Sequence, residues 1–186
     1  VTTYHPAAIA TWANAVTVTR VLVSPVLFAL IDGRAGSWSA LGLWFLLCAS
    51  DGVDGWLARR MGATRSGAFL DPLADKILVL GAMFTLVGND VFPLVPVILI
   101  AAREVLISVY RTLVGAKGVS VPAKRLAKAK TVAQQFAVGF ALLPWTALAA
   151  TWTWLWLLWV SVALTLVTGW QYLAAARRRP VGAAAG

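Results

Sequence analysis

From residue 13 to residue 176 the chain repeats one pattern, an apolar run of about twenty residues followed by a short polar break. A helix of that length crosses the ~30 Å hydrocarbon core of a bilayer at 1.5 Å per residue. The runs lie at 13–31, 38–59, 67–88, 92–114, 126–149 and 152–176. The breaks are Asp32-Gly33-Arg34, the stretch 60–66, Asn89-Asp90, the stretch 115–125 and a bend near Thr151. The expected fold is therefore an all-α integral membrane protein with six transmembrane helices, a single domain over residues 1–186. Residues 1–11 are expected as a juxtamembrane segment along the membrane surface. Soluble domains are about 45–50% apolar. This chain is 60% hydrophobic with a mean hydropathy of +0.80, an excess that calls for lipid rather than for a larger core.

The net charge of +9 does not point to nucleic acid, because the cations fall in short blocks between apolar runs. That is how the inside loops of membrane proteins look. Six spans put both termini on one side, together with the basic loop after Arg59, the stretch 117–130 and Arg177-Arg178-Arg179. The opposite loops offer only Arg34. The basic side is therefore expected to be cytosolic, in a multi-pass protein of the cell membrane. Cys48 is the only cysteine, so there is no disulfide framework, and neither it nor His5 is assigned a role. No cleavable signal pattern is expected at the start. Six tryptophans between Trp145 and Trp170 read as lipid-facing bulk and interfacial belt.

The acids are placed unevenly. Of seven, Asp51, Asp54, Asp71 and Asp75 crowd into 25 positions. Carboxylates within membrane spans are costly and mark function by default. The apolar part of the second run, from Trp38 to Ser50, covers only about 20 Å before Asp51. The third run mirrors it, apolar from Ile77 to Gly88. Both acid pairs are thus expected at the inner leaflet, at the cytosolic ends of helices 2 and 3. The short link between Arg59 and Gly67 makes the two helices antiparallel neighbours whose acids face each other. Asp51, Asp54, Gly55, Ala58 and Arg59 form one helical stripe. Gly67, Asp71 and Asp75 recur every four residues on the facing helix. Gly55 and Ala58 keep the stripe low, which admits a ligand or close helix packing. Pro72 fits a first helical turn and otherwise implies a kink. Four carboxylates with no His or Cys beside them suit Mg²⁺ or Mn²⁺ and disfavour zinc. Two such ions would neutralise charges that otherwise repel, and can stabilise both oxygens of an in-line displacement at phosphorus.

The pattern Asp51-x2-Asp54-Gly55-x2-Ala58-Arg59-x7-Gly67-x3-Asp71-x3-Asp75 resembles that of the CDP-alcohol phosphotransferase family, with all eight fixed positions present. The resemblance implies a six-helix fold, usually dimeric, that releases CMP while joining a phosphatidyl or related group to an alcohol. It implies that Asp51, Asp54, Asp71 and Asp75 hold two divalent cations, and that Asp75 is also the general base. Gly55, Ala58, Arg59 and Thr64 match positions that contact the CDP part. Asn14 and Thr17 resemble the segment that closes over cytidine, where a plain helix start with a polar cap is the alternative. Arg60 reads as an inside-loop charge.

Further stretches resemble the branch of the family that uses CDP-diacylglycerol and glycerol 3-phosphate and forms phosphatidylglycerophosphate. These are Asn14-x2-Thr17-x2-Arg20, the segment 67–76, Arg103-Glu104 and Lys128-x-Lys130-Thr131-x2-Gln134. Arg103 stands about midway along helix 4, where a cation needs Glu104, the aspartates or a bound phosphate nearby. Arg111 follows two turns towards the cytosol, and Lys124, Arg125, Lys128 and Lys130 open helix 5. Arg103, Arg111, Lys124, Lys128 and Lys130 are the expected contacts of the acceptor phosphate. For the lysines, topology or attraction to anionic lipid is the alternative. Family members using phosphatidylglycerol (the cardiolipin-forming case), inositol phosphate or serine are the nearest rivals. A basic acceptor pocket argues against serine. Membrane prenyltransferases share the aspartate-rich helices but need more spans. An ion transporter would place its carboxylates nearer the midplane.

Overall fold

Helix boundaries fall where the sequence supplies a reason for them. The computed structural model describes residues 12–61, 67–115 and 125–177. In order these form α1 (Trp12–Leu30), α2 (Trp38–Met61), α3 (Gly67–Gly88), α4 (Leu94–Gly115), α5 (Arg125–Leu142), α6 (Pro144–Ala149) and α7 (Thr151–Arg177), with no strand among the described residues. The first four helices and the last agree with the expected runs to within two residues. The fifth run does not. Expected over 126–149, it breaks at Leu143, which is extended at φ −70°, ψ 115° ahead of Pro144. Proline disfavours the helical region for the residue before it and is well placed at the start of a new helix. A six-residue helix therefore follows, and Ala150 ends it out of helical geometry. Pro72 lies in the second turn of α3, later than the first turn that would excuse it, and has no N–H to give Ala68.

One end of the bundle is closed by polar contacts between loops. Asn89 Nδ2 donates to the carbonyls of Ile31 (2.9 Å) and Thr85 (3.1 Å), and its Oδ1 accepts the Gly33 N–H at 3.4 Å. Arg34 pairs with Asp90 at 3.4 Å. The Ser37 N–H donates to the carbonyl of Leu142 at 2.9 Å. Gly36 permits that approach: it has φ +69°, and a Cβ there would stand 2.6 Å from the Leu142 oxygen. The end of α1, the start of α2, the end of α3, the start of α4 and the end of α5 thus share one face. The long helices alternate in direction, and the opposite end collects the later turns of α2, the early turns of α3 and the basic start of α5.

Packing is led by α5 against α7 and by α1, which lies against both α2 and α3. Among the described residues α2 and α3 meet each other far less than each meets α1. Among the described residues, α1 is their shared partner. Gly81 on α3 is one reason, since any Cβ there would fall 2.2 Å from the Phe28 ring of α1. The core includes Leu27, Trp44, Leu78, Met83, Ile100, Val138 and Leu158. Outside it, every long helix carries exposed large apolar side chains, among them Leu22, Phe45, Ile77, Leu106, Phe136 and Trp156. A surface so apolar suits lipid rather than water. Of the helices, α7 carries a stretch long and apolar enough to cross a membrane by length and composition (Thr151–Gln171). The apolar stretches of α1 (Ala15–Leu30) and α2 (Trp38–Ser50) are shorter. Five of the six late tryptophans are exposed as expected. Trp154 is the exception, 7% exposed and set against Phe92 with ring centroids 5.4 Å apart.

Candidate functional site

Helices α2 and α3 carry the four aspartates to one end of the bundle. Asp51 and Asp54 stand in the second half of α2, and Asp71 and Asp75 in the early turns of α3. Asp75 is half-buried and engaged by a neighbour. Helix α1 brings its own polar face to this end. Thr17 and Arg20 are each 1% exposed, and Arg20 Nε donates to Ser50 Oγ at 3.1 Å, on the residue just before Asp51. The Ser50 hydroxyl donates in turn to the Leu47 carbonyl, and Ser24 Oγ to the Arg20 carbonyl, both at 2.7 Å. A buried guanidinium is thereby fixed to α2 at Ser50. Asn14 belongs to α1, and Gly55, Ala58 and Arg59 to α2. Thr64 and Lys124 lie outside the described residues, as does the segment 1–11.

The cations expected around an acceptor divide. Arg111 is in the last turns of α4 and Lys128 in the first turns of α5. Arg103 and Lys130 are brought together by a residue between them. Glu104 Oε1 accepts from Arg103 Nη1 at 3.1 Å and from Lys130 Nζ. Of the three partners open to Arg103, the structure supplies Glu104. Arg103 Nη2 also donates to Thr168 Oγ1 of α7 at 2.9 Å, and its stem passes over Gly169. From α3, Lys76 Nζ reaches Ser108 Oγ, and that hydroxyl donates to the Glu104 carbonyl at 2.6 Å. Four helices meet in these bonds.

An apolar groove of about 310 Å³ lies between α2 and α5, and Cys48 at one end of it is a single helical turn from Asp51. Trp44 floors it, with Nε1 donating to the Gln135 carbonyl at 3.2 Å. Gly139 lines it beside that indole, where a Cβ would meet the ring nitrogen at 3.5 Å, an ordinary contact. Phe45, Phe136 and Phe140 wall it.

Sequence reasoning left Arg20, Lys76, Thr168 and Gln134 without roles. The signal for Arg20 was present in the Asn14-Thr17-Arg20 spacing, and that for Lys76 in its place after Asp75. Thr168 had none, being one hydroxyl in a long apolar run.

Comparison with known proteins agrees with the pattern of acids. The family model described as CDP-alcohol phosphatidyltransferase matches residues 10–167. The chain is similar to the CDP-diacylglycerol--glycerol-3-phosphate 3-phosphatidyltransferase of Rickettsia felis, 34% identical over 172 residues that cover 89% of this chain and 94% of that protein. It is similar to the protein of the same name from Bacillus subtilis, 34% identical over 178 residues covering 86% and 91%. A probable phosphatidylglycerophosphate synthase of Mycobacterium tuberculosis is 36% identical over 181 residues, covering 92% and 84%.

Proposed function

Because the chain belongs to the CDP-alcohol phosphatidyltransferase family, we propose that it transfers the phosphatidyl group of CDP-diacylglycerol to glycerol 3-phosphate, releasing CMP and forming phosphatidylglycerophosphate. The observation that carries this reading is similarity over nearly the whole chain to relatives named for that reaction. The four-aspartate pattern and a buried cation pair on α4 and α5 support it.

In this reading the protein is a multi-pass enzyme of the cell membrane, with six crossings made by α1 to α5 and α7. Both termini and the acid end face the cytosol, and the protein works as a homodimer. The basic residues cluster at the end that carries the acids, which supports that orientation. Asp51, Asp54, Asp71 and Asp75 would hold two divalent cations, Mg²⁺ or Mn²⁺. All four donors are carboxylates on two adjoining stretches of helix, a hard oxygen set that fits such ions. Bound there, the ions would supply electrostatic stabilisation of charge on the pyrophosphate. Asn14, Thr17, Gly55, Ala58, Arg59 and Thr64 would contact the CDP part, with Arg59 countering negative charge. Arg103, Arg111, Lys124, Lys128 and Lys130 would hold the acceptor phosphate. The 1-hydroxyl oxygen of glycerol 3-phosphate then bonds to the phosphorus that bears diacylglycerol. Its proton passes to Asp75, and the bond from that phosphorus to the CMP oxygen breaks. The groove beside Cys48 offers a place for an acyl chain next to the reacting phosphorus.

The test is CMP release by the purified protein from CDP-diacylglycerol with glycerol 3-phosphate, inositol phosphate, serine or phosphatidylglycerol. Turnover with glycerol 3-phosphate is expected. Product formed only with another acceptor would refute the acceptor assignment and leave the family intact.

A further inference from the structure

We propose that Glu104 is a positioning residue of the acceptor site, holding the Arg103 guanidinium and the Lys130 ammonium in place for the acceptor phosphate. The inference rests on the reading of glycerol 3-phosphate as acceptor. A carboxylate among phosphate-binding cations is at first sight misplaced, since it repels the ligand. Its contacts show what it does instead. One oxygen, Oε1, serves both cations, one from its own helix and one from α5. Glu104 is 8% exposed and Lys130 5%, so neither has water to fall back on. Two cations buried without a counter-ion would be strongly disfavoured, and a long lysine would turn away from the site to reach solvent. A resident carboxylate keeps both in place when the acceptor is absent. It does not cancel them: Lys76, Arg103 and Lys130 against Glu104 leave 3 − 1 = +2, and counting Asp75 leaves +1. The cluster still attracts an anion.

A second observation comes from α5. Gln134 lies one turn from Lys130, is buried, and its Nε2 has no hydrogen-bond partner among the described residues. Buried amide donors are rarely left so. A buried donor lacking an acceptor, one turn from Lys130, is what a site for an oxygen-rich anion presents. The Glu104–Lys130 pair also links α4 to α5, but α7 packs against both helices and holds them without it. The Lys76–Ser108 and Arg103–Thr168 bonds tie α3 and α7 to α4 without using the Glu104 carboxylate. Loss of its charge should therefore release the cations more than the fold.

The experiment uses the full chain in bilayer nanodiscs, with KM for each substrate, kcat and the thermal midpoint measured for Glu104→Gln and Glu104→Asp. Glu104→Gln keeps the shape and one acceptor oxygen but loses the charge. It is expected to raise the KM for glycerol 3-phosphate about tenfold, equivalent to ~1.4 kcal/mol, with the KM for CDP-diacylglycerol within about twofold. Glu104→Asp should recover part of the loss. Equal rises in both KM values, or a lowered midpoint with unchanged KM, would overturn the proposal. Should Glu104→Gln fail to fold, Glu104→Asp carries the test alone, since it keeps the charge and both cations but draws the carboxylate back from them by one methylene. A raised KM for glycerol 3-phosphate alone supports positioning, and a wild-type KM refutes it. If wild-type protein makes no product from glycerol 3-phosphate, the acceptor reading has failed before any variant is made.

Discussion

Arg103→Ala removes a guanidinium anchored at 3.1 Å to Glu104 and at 2.9 Å to Thr168. Breaking a buried ion pair commonly costs about 3–5 kcal/mol, because one charge is stranded. Here the penalty is smaller, since Glu104 keeps Lys130 and the Thr168 hydroxyl keeps the Leu164 carbonyl at 2.7 Å. The variant should fold, and its kinetic effect should report on ligand rather than on collapse. A hydrogen bond to a charged group contributes roughly 1.5–3 kcal/mol. Losing one such bond to the acceptor phosphate raises the KM for glycerol 3-phosphate by about 10-fold to 150-fold. Arg103→Lys retains the charge but cannot serve Glu104, Thr168 and a phosphate from one planar fork, so it should rescue only in part. The assay is steady-state CMP release with each substrate varied while the other is saturating. The KM for CDP-diacylglycerol should move little. Parallel rises in both KM values would assign Arg103 to the nucleotide side or to the frame, and unchanged values would remove it from the acceptor site.

Excess EDTA should abolish turnover and added Mg²⁺ or Mn²⁺ restore it; full activity in chelator would refute a metal site at the aspartates. Asp75→Asn should cut kcat by about 10²–10⁴-fold, the usual worth of a general base. Binding of CDP-diacylglycerol should fall less, and near-normal turnover would exclude Asp75 as base. Gly36→Ala forces a Cβ to within 2.6 Å of the Leu142 oxygen at a left-handed backbone position. It should destabilise the fold by about 1–3 kcal/mol in thermal unfolding. Because Gly36 lies at the end away from the acids, activity per folded molecule should hold, and a selective loss of kcat would show that the two ends are coupled.

The long helices were legible because apolar runs and polar breaks are one-dimensional signals, and the acids because so few exist. The break at Leu143 was hidden inside an unbroken apolar string, where Pro144 acts through backbone sterics that hydropathy does not register. That α1 lies against both α2 and α3 was not legible, because such packing depends on side-chain volume, as where Phe28 of α1 covers Gly81 of α3. Trp154 differs from its exposed neighbours in facing the core, where it meets Phe92, a partner more than sixty residues away in the chain. For Arg103 the need for a counter-charge was plain from sequence. That one carboxylate would serve Lys130 as well was not, because nothing in the order of residues brings α5 to α4.

The early end of α5 has a bearing on the bilayer itself. Eighteen residues make a rod of about 27 Å, whereas the 27 residues of α7 make one of about 40 Å. The two pack against each other, so they cannot match one hydrocarbon slab equally well. On α7 the exposed indoles of Trp152 and Trp170 are also about 27 Å apart along the axis. Aromatic belts settle at the headgroup level, so the shorter helix and the indoles define the same thickness. That thickness is below the ~30 Å of an average bilayer. If α5 and α7 cross the membrane as proposed, the lipid around them would be drawn thin, and the turns of α7 beyond Trp170 would stand among the headgroups. Mismatch costs a fraction of a kcal/mol per Å, enough to make host-lipid chain length a variable of this enzyme's environment as real as its substrates.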